Sequence, residues 1–395
     1  MSGTHTSGAP ICDLDFYDET HVSAPTLAYE KMLALGSVVW LSKHEMHAIC
    51  GFDALTRCQR NHRVFQSGKG VSINEDINQL LIGSTLNSDP PQHDVTRAIT
   101  FSPLTPKALQ EVRELIEKEA RVIVDRIVAQ GSFDAAQELA PYLPLTIVRD
   151  LVGLGEHGKN NMLDWGAATF ELMGDCGDRR DIAMANMKGL RQFLENPETL
   201  SGLSKDGWAN RATKRGIAEG MEPAQAAELM RDYIAPSLDT TISVIGYAMM
   251  LFAQHPEQWQ KLRADRSLCR NAIEEIVRLN TPIKAFSRYV TDEIKVDGVS
   301  LAKDSRVLMV FGAANRDPAK FPDPNRFDIE RNTRGHVGFG HGVHACLGMH
   351  LARLEITSLF NALADQIERF ELTGDVVPSI NSSIHSLARV PLRIC

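Results

Sequence analysis

The chain has 395 residues, of which 43% are hydrophobic and 23% charged, and its formal net charge is -8 at pH 7. This composition is typical of a globular protein, and the negative charge argues against nucleic acid or an acidic membrane as a partner. Since no stretch of about 18 residues is apolar and uncharged, we expect no membrane anchor. Residues 1–10 lack the apolar core of a signal peptide, which favours a cytoplasmic location.

The N-terminal part of the chain is predicted to be mixed in structure. We expect a disordered tail over residues 1–13 and a single domain over 14–395. Two short apolar runs, 37–41 and 47–50, predict a β-hairpin within a β-rich portion that spans 35–51. The segment 67–88 contains several glycines and asparagines and predicts a long functional loop with about one helical turn.

Helical patterns dominate the middle of the chain, over residues 89–282. Asp89 and the two prolines after it are a helix-start signal, and a further helix is expected from 106 to 130. The longest pattern runs from Pro223 to His255 and stops before Pro256. About 32 residues at 1.5 Å each span roughly 48 Å, so this predicted helix is long enough to cross the molecule.

Strand patterns return over residues 283–311, where short β-branched runs flank an Asp297-Gly298 turn. A polar coil follows, and residues 376–395 again have strand character. The chain is therefore predicted to be mainly α with small β-sheets.

Four glycines and one cysteine lie in the eleven residues from Gly338 to Gly348, directly before an apolar-periodic helix that begins at Met349. Glycine permits tight turns and a close approach of the backbone to a ligand. Backbone N–H groups and the positive end of the helix dipole would stabilise a thiolate at Cys346. We therefore predict that Cys346 ligates haem iron; the simpler interpretation is a buried cysteine in a glycine-rich turn. The other six cysteines are irregularly spaced and form no CxxC pair, which indicates inert, reduced thiols.

The pattern FGxGxHxCxG at 339–348 resembles the haem-binding loop of the cytochrome P-450 superfamily. The resemblance covers residues 14–393 and implies the cytochrome P-450 fold, with a long central helix over the haem. It implies haem b as the cofactor and Cys346 as its metal ligand, a thiolate that favours O–O cleavage. It also implies cofactor contacts from Phe339, which packs near the sulfur, and from Gly340 and Gly348, which let the backbone approach the porphyrin.

The two haem propionates need charged or N–H donors, arginine above all. The resemblance places such donors on the helix after the 67–88 loop, on the first strand after residue 282, and ten residues before the cysteine. Taken singly, each of these side chains would more often be an ordinary surface residue. The implied propionate partners are His93, Arg97, Arg288 and His336.

Glu275 and Arg278 are three residues apart on a predicted helix and therefore share one face. Alone, such a pair is most simply interpreted as a solvated ion pair. Its place 71 residues before Cys346 resembles the buried Glu-Arg pair of the family. Arg326 matches the third member of that structural network, which holds the coil that carries the cysteine loop.

Asp239 and Thr240 lie midway along the longest predicted helix, among apolar residues. Local hydrogen bonding is the simpler interpretation, but buried polar groups cost free energy unless something uses them. The resemblance implies that both are catalytic and relay protons on the distal side of the haem. Pro236 and Ser237 depart from the family, which has a small residue and glycine there. Pro236 should kink the helix, because it cannot donate to the Asp232 carbonyl.

The substrate cavity is expected to be lined from segments 67–88, 231–241, 282–287 and 381–386. Their apolar side chains suit a small or medium hydrophobic ligand. The chain resembles bacterial members that oxidise small aromatics, including para-substituted benzoates. However, the 67–88 loop has no arginine for a carboxylate, Arg231 is the one cation expected near the cavity, and terpenoid or other apolar substrates stay open. The predicted substrate contacts are Ile73, Leu81, Ile82, Ile234, Ala235, Ile283, Phe286 and Ile384.

The resemblance implies a bacterial monooxygenase that inserts one atom of O2 into a small apolar or aromatic substrate, by hydroxylation or O-demethylation. It further implies electrons from a [2Fe–2S] ferredoxin and its reductase, docking near Arg63, Arg97, His341 and Arg353. Alternatives are a peroxide-driven haem-thiolate peroxygenase, a non-catalytic haem-binding sensor, and a non-haem fold in which Cys346 is inert.

Overall fold

The computed structural model of the chain describes residues 5–395, which are mainly helical. The α-helices within these residues are α1 (Glu19–Ser23), α2 (Thr26–Leu35), α3 (Phe52–Arg60), α4 (Glu75–Leu80), α5 (Gln92–Thr100), α6 (Gln110–Gln130), α7 (Arg149–Val152), α8 (Gly155–Glu171), α9 (Arg180–Glu195), α10 (Pro197–Gly202), α11 (Trp208–Ala218), α12 (Pro223–Glu228), α13 (Arg231–Ile234), α14 (Asp239–Gln254), α15 (Pro256–Ala264), α16 (Cys269–Asn280), α17 (Phe311–Ala314) and α18 (Met349–Gln366).

The strands are short; most lie near the two ends of the chain or between α16 and α17, and β5 follows α6. They are β1 (Ile11–Cys12), β2 (Val38–Leu41), β3 (Met46–Ile49), β4 (Phe65–Gln66), β5 (Ser132–Asp134), β6 (Phe286–Val290), β7 (Ile294–Val296), β8 (Val299–Leu301), β9 (Ser305–Met309), β10 (Phe370–Leu372), β11 (Val377–Pro378), β12 (Leu387–Arg389) and β13 (Pro391–Ile394). The prediction of a mainly helical protein with small sheets is confirmed.

The largest sheet has six strands in the order β1-β2-β3-β9-β6-β4. The predicted hairpin is its β2–β3 pair, in which Val38 lies opposite Ile49. Strand β9 then pairs in parallel with β3, and Ile49 lies opposite Met309. The two β-rich portions of the sequence thus form one sheet, although more than 230 residues separate β3 from β6.

The predicted disordered tail over residues 1–13 is wrong for residues 5–13. Strand β1 pairs in parallel with β2, with Ile11 opposite Trp40, and the His5 ring stacks on the Trp40 ring at a centroid distance of 4.0 Å. Ala9 and Cys12 are buried in this contact, and the apolar area they remove from water offsets the entropy of ordering the segment. Residues 1–4 lie outside the described part of the chain.

The helical core is centred on α14, which packs against α8 and α16, while α18 packs along α6. Val244, Ala248 and Phe252 are buried along α14; they are four residues apart and so share one face. By length and composition the stretch Pro223–Gln254 could cross a membrane, but 61% of its most apolar window is buried inside the protein. This stretch is therefore a core element of the fold.

The long helix predicted from Pro223 to His255 is not continuous. It is divided into α12, α13 and α14, and residues 235–238 between α13 and α14 are not helical. Pro236 has no N–H to donate to the preceding turn, and the Ser237 hydroxyl donates to the Tyr233 carbonyl in its neighbourhood. The predicted kink at Pro236 is therefore a complete break in the helix, immediately before Asp239.

Glu355 on α18 is 1% exposed, and its Oε1 has no hydrogen-bond partner among the described residues. Burial raises the pKa of its carboxyl to about 8, against about 4.3 in an unfolded chain. Since the pKa is higher in the folded state, stability falls as the pH rises from about 4 to 8. We expect Glu355→Gln to increase the free energy of unfolding at pH 8 by about 2–4 kcal/mol, and to change it little at pH 4.

Denaturant unfolding at both pH values measures this effect. The control is Glu368→Gln, since Glu368 is exposed just beyond α18 and should leave both values unchanged. If Glu355→Gln is stabilised over wild type equally at pH 4 and pH 8, the raised pKa of the Glu355 carboxyl is contradicted.

Candidate active site

The glycine-rich loop before α18 folds back on itself. Gly340 has a φ of 69°, a left-handed conformation that glycine adopts without strain, and the Cys346 N–H donates to the Phe339 carbonyl at 2.7 Å. A Cβ on Gly338 would stand 2.6 Å from Cγ1 of Val277. The loop can therefore pack this closely on α16 only with glycine at that position.

The sulfur of Cys346 lies at the start of α18. Burial raises the pKa of its thiol, while backbone N–H groups of Gly348 and Met349 and the charges of Arg97 and Arg353 act to lower it. The predicted N–H donors are thus present. A cation bound at the sulfur would complete the change to thiolate, because a metal deprotonates a coordinating thiol.

Other cysteines in the described residues lack this setting. Cys12, Cys50, Cys58, Cys176 and Cys269 are buried, whereas Cys346 is half-buried. Cys395 is exposed at the last position of the chain and donates to the Glu371 carboxylate at 3.3 Å. Burial raises the pKa of the Cys269 thiol to about 11. Cys346 is therefore the cysteine whose position best suits a ligand.

A cluster of cationic and imidazole side chains lies beside the loop. The rings of His93 and His344 meet edge to face at 4.5 Å, and Nε2 of each is buried without a hydrogen-bond partner. Burial lowers the pKa of His344 to about 2, and the charges of Arg288, His93 and Arg97 lower it further. Unpartnered buried ring nitrogens beside two arginines form a site that favours anions.

Both arginines of this cluster are anchored on the protein backbone. Arg97 on α5 donates to the Ala345 carbonyl at 2.7 Å, and buried Arg288 on β6 donates to the Ser287 carbonyl at 2.8 Å. Each has further N–H groups, since a guanidinium carries five. Three predicted propionate partners, His93, Arg97 and Arg288, are thus brought together.

His336 is not part of that cluster. Its Nε2 donates to Glu274 at 2.8 Å, its Nδ1 accepts from the Gly338 N–H at 3.2 Å, and Arg353 donates twice to Glu274 at 2.6 and 2.9 Å. Both ring nitrogens are therefore occupied in supporting the loop. His344 lies in the cluster where the sequence analysis expected His336, and its position inside the glycine-rich motif was the signal for it.

The predicted Glu275-Arg278 pair is present and completely buried. Its two hydrogen bonds measure 2.7 and 2.9 Å, and both side chains are 0% exposed. The third member is Arg331, which donates to Glu275 at 3.0 Å. The prediction of Arg326 is wrong, because its side chain is 65% exposed and pairs with Asp328 at 3.7 Å instead of with Glu275.

Asp239 and Thr240 follow directly after the break between α13 and α14. The Thr240 hydroxyl donates to the Pro236 carbonyl at 3.1 Å, while Oδ2 of Asp239 is buried without a partner. Burial raises the pKa of the Asp239 carboxyl to about 7, and the charge of Asp164 on α8 contributes. An acid with this pKa can both hold and release a proton near neutral pH.

The predicted substrate contacts differ in placement. Ile283 and Ile384 face each other in an isolated β-bridge, and Phe286 packs edge to face on Phe311 at 5.9 Å. Leu81 is buried in the helical core, whereas the adjacent Ile82 is 56% exposed; because Leu81 turns inward, Ile82 points to the outside. Of the remaining contacts, Ile234 and Ala235 are buried and Ile73 is half-buried.

Arg231 is a buried structural residue rather than a free cation. It is 4% exposed, it pairs with Glu228 at 2.8 Å, and it donates to the Leu80 carbonyl at 2.7 Å. Its charge is therefore compensated within the fold.

A buried polar network that the sequence did not reveal joins α14 to the 381–385 turn. His385 donates from Nδ1 to the Asn280 carbonyl at 2.7 Å, so its Nε2 accepts from the Tyr247 hydroxyl. Ser243 donates to the His385 carbonyl, and Asn280 donates to Ser243 at 2.7 Å. Burial lowers the pKa of His385 to about 3. We call this group, Ser243, Tyr247, Asn280 and His385, the turn clamp.

The residues of the site fit a haem. The unpartnered Nε2 atoms of His93 and His344, with two arginines, suit a pair of carboxylates. Cys346 is half-buried, and a Cβ built on Gly348 meets no atom within 4 Å, so the backbone beside the sulfur is open to a flat ligand. A half-buried cysteine on one side and a cluster suited to carboxylates at the edge are the arrangement expected of a haem-thiolate protein.

Comparisons with known proteins support the assignment of this site to a haem protein. Residues 203–394 match the sequence model described as Cytochrome P450. The chain is 30% identical over 397 residues to "Cytochrome p450 CYP199A2" of Rhodopseudomonas palustris, covering 99% of this chain and 96% of that protein. It is 28% identical to "Cytochrome P450 monooxygenase PikC" of Streptomyces venezuelae, covering 98% and 95%. The solved structure of cytochrome P450-153 from Novosphingobium aromaticivorans superposes with a TM-score of 0.85 at 19% identity, covering 96% and 99%.

The chain belongs to the cytochrome P450 family. It is a P450 monooxygenase, an oxidoreductase whose cofactor is haem b held by a cysteine thiolate. The family fold predicted from the sequence is confirmed.

Proposed function

We propose that Cys346 is the thiolate ligand of the haem and that His93, Arg97, Arg288 and His344 bind its propionates. The observation that carries this proposal is the meeting of the Cys346 loop with two buried histidine nitrogens that lack partners. Phe339, Gly340 and Gly348 shape the loop around the sulfur.

When bound, haem supplies the reductive activation of dioxygen, with insertion of one oxygen atom into the substrate and release of the other as water. The chain itself supplies the protons. Asp239 holds a proton at Oδ2, in a setting where its pKa is about 7. Thr240 presents a hydroxyl at the break before α14, and Pro236 keeps that turn open because it cannot complete the helix.

The substrate is a small apolar or aromatic molecule, hydroxylated or O-demethylated beside Ile283, Phe286 and Ile384. These side chains are apolar, and Ile384 is held in place by the turn clamp. Arg231 is already paired with Glu228, which argues against a carboxylate anchor there and favours an uncharged substrate.

Thr240→Ala should uncouple electron consumption from product formation. Without the hydroxyl, proton delivery loses its last ordered group, so we expect hydrogen peroxide to take up most of the reducing equivalents and coupling to fall by roughly tenfold. The control is Thr241→Ala on the same helix, a buried threonine one residue along. Unchanged coupling in Thr240→Ala would remove this residue from proton delivery.

The electron donor is a [2Fe–2S] ferredoxin that docks on the loop side of the molecule, in the cytoplasm. Four residues were predicted to contact the ferredoxin. Arg97 and Arg353 already donate to Ala345 and Glu274. His341 accepts from the Arg60 guanidinium at 2.9 Å, and Arg63 is exposed.

Arg270 and Arg334 line a cavity of about 460 Å³ beside Phe339. Both are exposed, and an acidic partner would be attracted to them.

Reversing the charge of Arg270 and Arg334 together, to Glu, should raise the KM for ferredoxin by about tenfold at low salt. The difference should shrink at high salt, because exposed charges are screened. Arg121→Glu is the control, as Arg121 is exposed on α6. A KM that stays unchanged at low salt would place the docking surface elsewhere.

The function is tested with the haem-loaded protein. Reduced under carbon monoxide, it should show the red-shifted Soret band of a thiolate-ligated haem, and turnover should require a ferredoxin and its reductase. Turnover with peroxide alone would favour a peroxygenase, and oxygen consumption without product from any apolar substrate would favour a sensor. Screening small aromatics and terpenoids for a spin-state shift identifies the substrate.

A further inference from the structure

Asp232 on α13 lies on an accessible face of a segment that is otherwise buried. Residues 233–235 beside it are buried, whereas Asp232 and Thr240 are half-buried and Pro236 is exposed. Positions 232, 236 and 240 are four residues apart, and the backbone keeps right-handed helical angles on both sides of the break between α13 and α14. Since residues four apart share one face, Asp232 lies on the same open side of this segment as Thr240.

Two hydrogen bonds fix the position of Asp232 in the fold. The Thr85 N–H donates to its Oδ1 at 3.0 Å and to its Oδ2 at 3.3 Å. The hydroxyl of the adjacent Tyr233 donates to the Thr100 carbonyl at the end of α5, at 2.8 Å, and Arg97 of the same helix reaches the cysteine loop. Asp232 therefore lies between the helix that contacts the cysteine loop and the long loop that is predicted to line the substrate cavity.

The Asp232 carboxylate has hydrogen-bonding capacity to spare. Two ionised oxygens offer about four acceptor positions, and Thr85 is the one residue that donates to them among residues 5–395. The neighbouring Arg231 turns away, since it pairs with Glu228 and donates to the Leu80 carbonyl. Carboxylate oxygens that the fold encloses are normally filled by donors, so the open side of Asp232 suits a donor from a ligand.

A neutral donor suits this position better than a cation. Burial raises the pKa of the Asp232 carboxyl to about 6, while the charges of Arg231 and Arg97 act to lower it. Because two positive charges already act on the carboxylate, a third would be enclosed without a negative partner of its own. A hydroxyl group supplies one O–H donor and no charge.

We propose that Asp232 is a specificity-determining residue that accepts a hydrogen bond from a hydroxyl group of the substrate, which is a small phenol with an apolar opposite end. This inference rests on the proposed function and narrows its substrate class. Asp232 precedes Thr240 by eight residues. The hydroxyl is therefore held away from the group that delivers protons, and the apolar end is the part that is oxidised.

The test compares two ligands of nearly equal shape on the haem-loaded protein at pH 8. These are 4-ethylphenol and 4-ethyltoluene, in which a methyl group replaces the hydroxyl. Calorimetry and the spin-state shift measure both dissociation constants. Wild type should bind the phenol about tenfold more tightly, because a hydrogen bond to an ionised group is stronger than one to a neutral group.

Asp232→Asn should reduce this tenfold preference to about one. Its amide oxygen can still accept the Thr85 N–H, so the fold is kept, but its NH2 group then faces the ligand and cannot accept from a hydroxyl. Asp232→Leu removes both acceptors and should give the same ratio. The control is Asp181→Asn, which removes an exposed acid on α9 and should keep the tenfold preference.

A purely structural role of Asp232 gives a different result. The two dissociation constants would then change together in Asp232→Asn and Asp232→Leu, and their ratio would stay tenfold. That outcome, or a ratio of one in wild type, would overturn the assignment. The cation 4-ethylbenzylamine should bind more weakly than 4-ethylphenol, and the opposite order would overturn the choice of a neutral donor.

The proposed function and the role of Asp232 fail separately. A wild-type protein without the thiolate-haem band or without coupled turnover contradicts the proposed function. A wild-type protein with both, whose preference for the phenol is absent or survives in Asp232→Asn and Asp232→Leu, contradicts only the role of Asp232.

Discussion

In Cys346→Ala, we expect the reduced protein under carbon monoxide to lose the red-shifted Soret band, and monooxygenase activity to fall to background. The reason is that the proposed function makes the sulfur at the start of α18 the electron-rich ligand of the haem iron, and alanine has no atom that could replace it. Cys346→His should keep haem, with the spectrum of an imidazole-ligated iron, and so separates loss of the thiolate from loss of folding.

Cys269→Ala is the matched control for this result. Cys269 begins α16, is buried, and has a pKa raised to about 11 by burial. Its removal should leave the band and the activity intact. A band that survives in Cys346→Ala but disappears in Cys269→Ala would show that Cys269, and not Cys346, is the ligand.

Glu275→Ala should destabilise the protein by about 3–5 kcal/mol, because it leaves two arginines without their carboxylate in the interior. Arg278 is 0% exposed and Arg331 is 11% exposed, so solvent cannot replace the lost partner. Chemical denaturation measures the free energy of unfolding, and haem loss should follow because this network supports the coil before the cysteine loop.

The control for Glu275→Ala is Glu195→Ala, which removes an exposed ion pair with Arg191 on α9. Such pairs contribute about 0–1 kcal/mol, so little change is expected. The same assay decides the third member of the network: Arg331→Ala should be strongly destabilising, and Arg326→Ala nearly neutral. The reverse order would restore the prediction made from the sequence.

The features that the sequence predicted well are local. The cysteine loop lies within eleven residues, and the Glu275-Arg278 pair spans one helical turn, so residue spacing alone determines which side chains meet. The hairpin of β2 and β3 is equally local. Turn chemistry and periodicity act over short distances and so predicted these local contacts, whereas the burial of the Glu275-Arg278 pair was implied by the resemblance to the cytochrome P-450 superfamily.

The features that the sequence predicted poorly depend on distant contacts. His344 meets His93 from a different part of the chain, and no periodicity indicates which histidine of the C-terminal coil will do so. Arg326 and Arg331 lie five residues apart in the same irregular coil. The side chain of Arg326 is exposed to solvent, whereas that of Arg331 contacts the buried Glu275. Pro236 was expected to bend a helix, but whether proline kinks or ends a helix depends on whether neighbouring groups satisfy the freed backbone.

The turn clamp bears on how this enzyme could acquire new substrates. Burial lowers the pKa of His385 to about 3, and both of its ring nitrogens are engaged, so buried hydrogen bonds attach the turn that carries Ile384 to α14. Mutational libraries aimed at the 381–385 turn should therefore yield mostly unfolded proteins. Libraries around α4, a short helix in the loop that is predicted to line the cavity, should change substrate preference while α14 keeps its position.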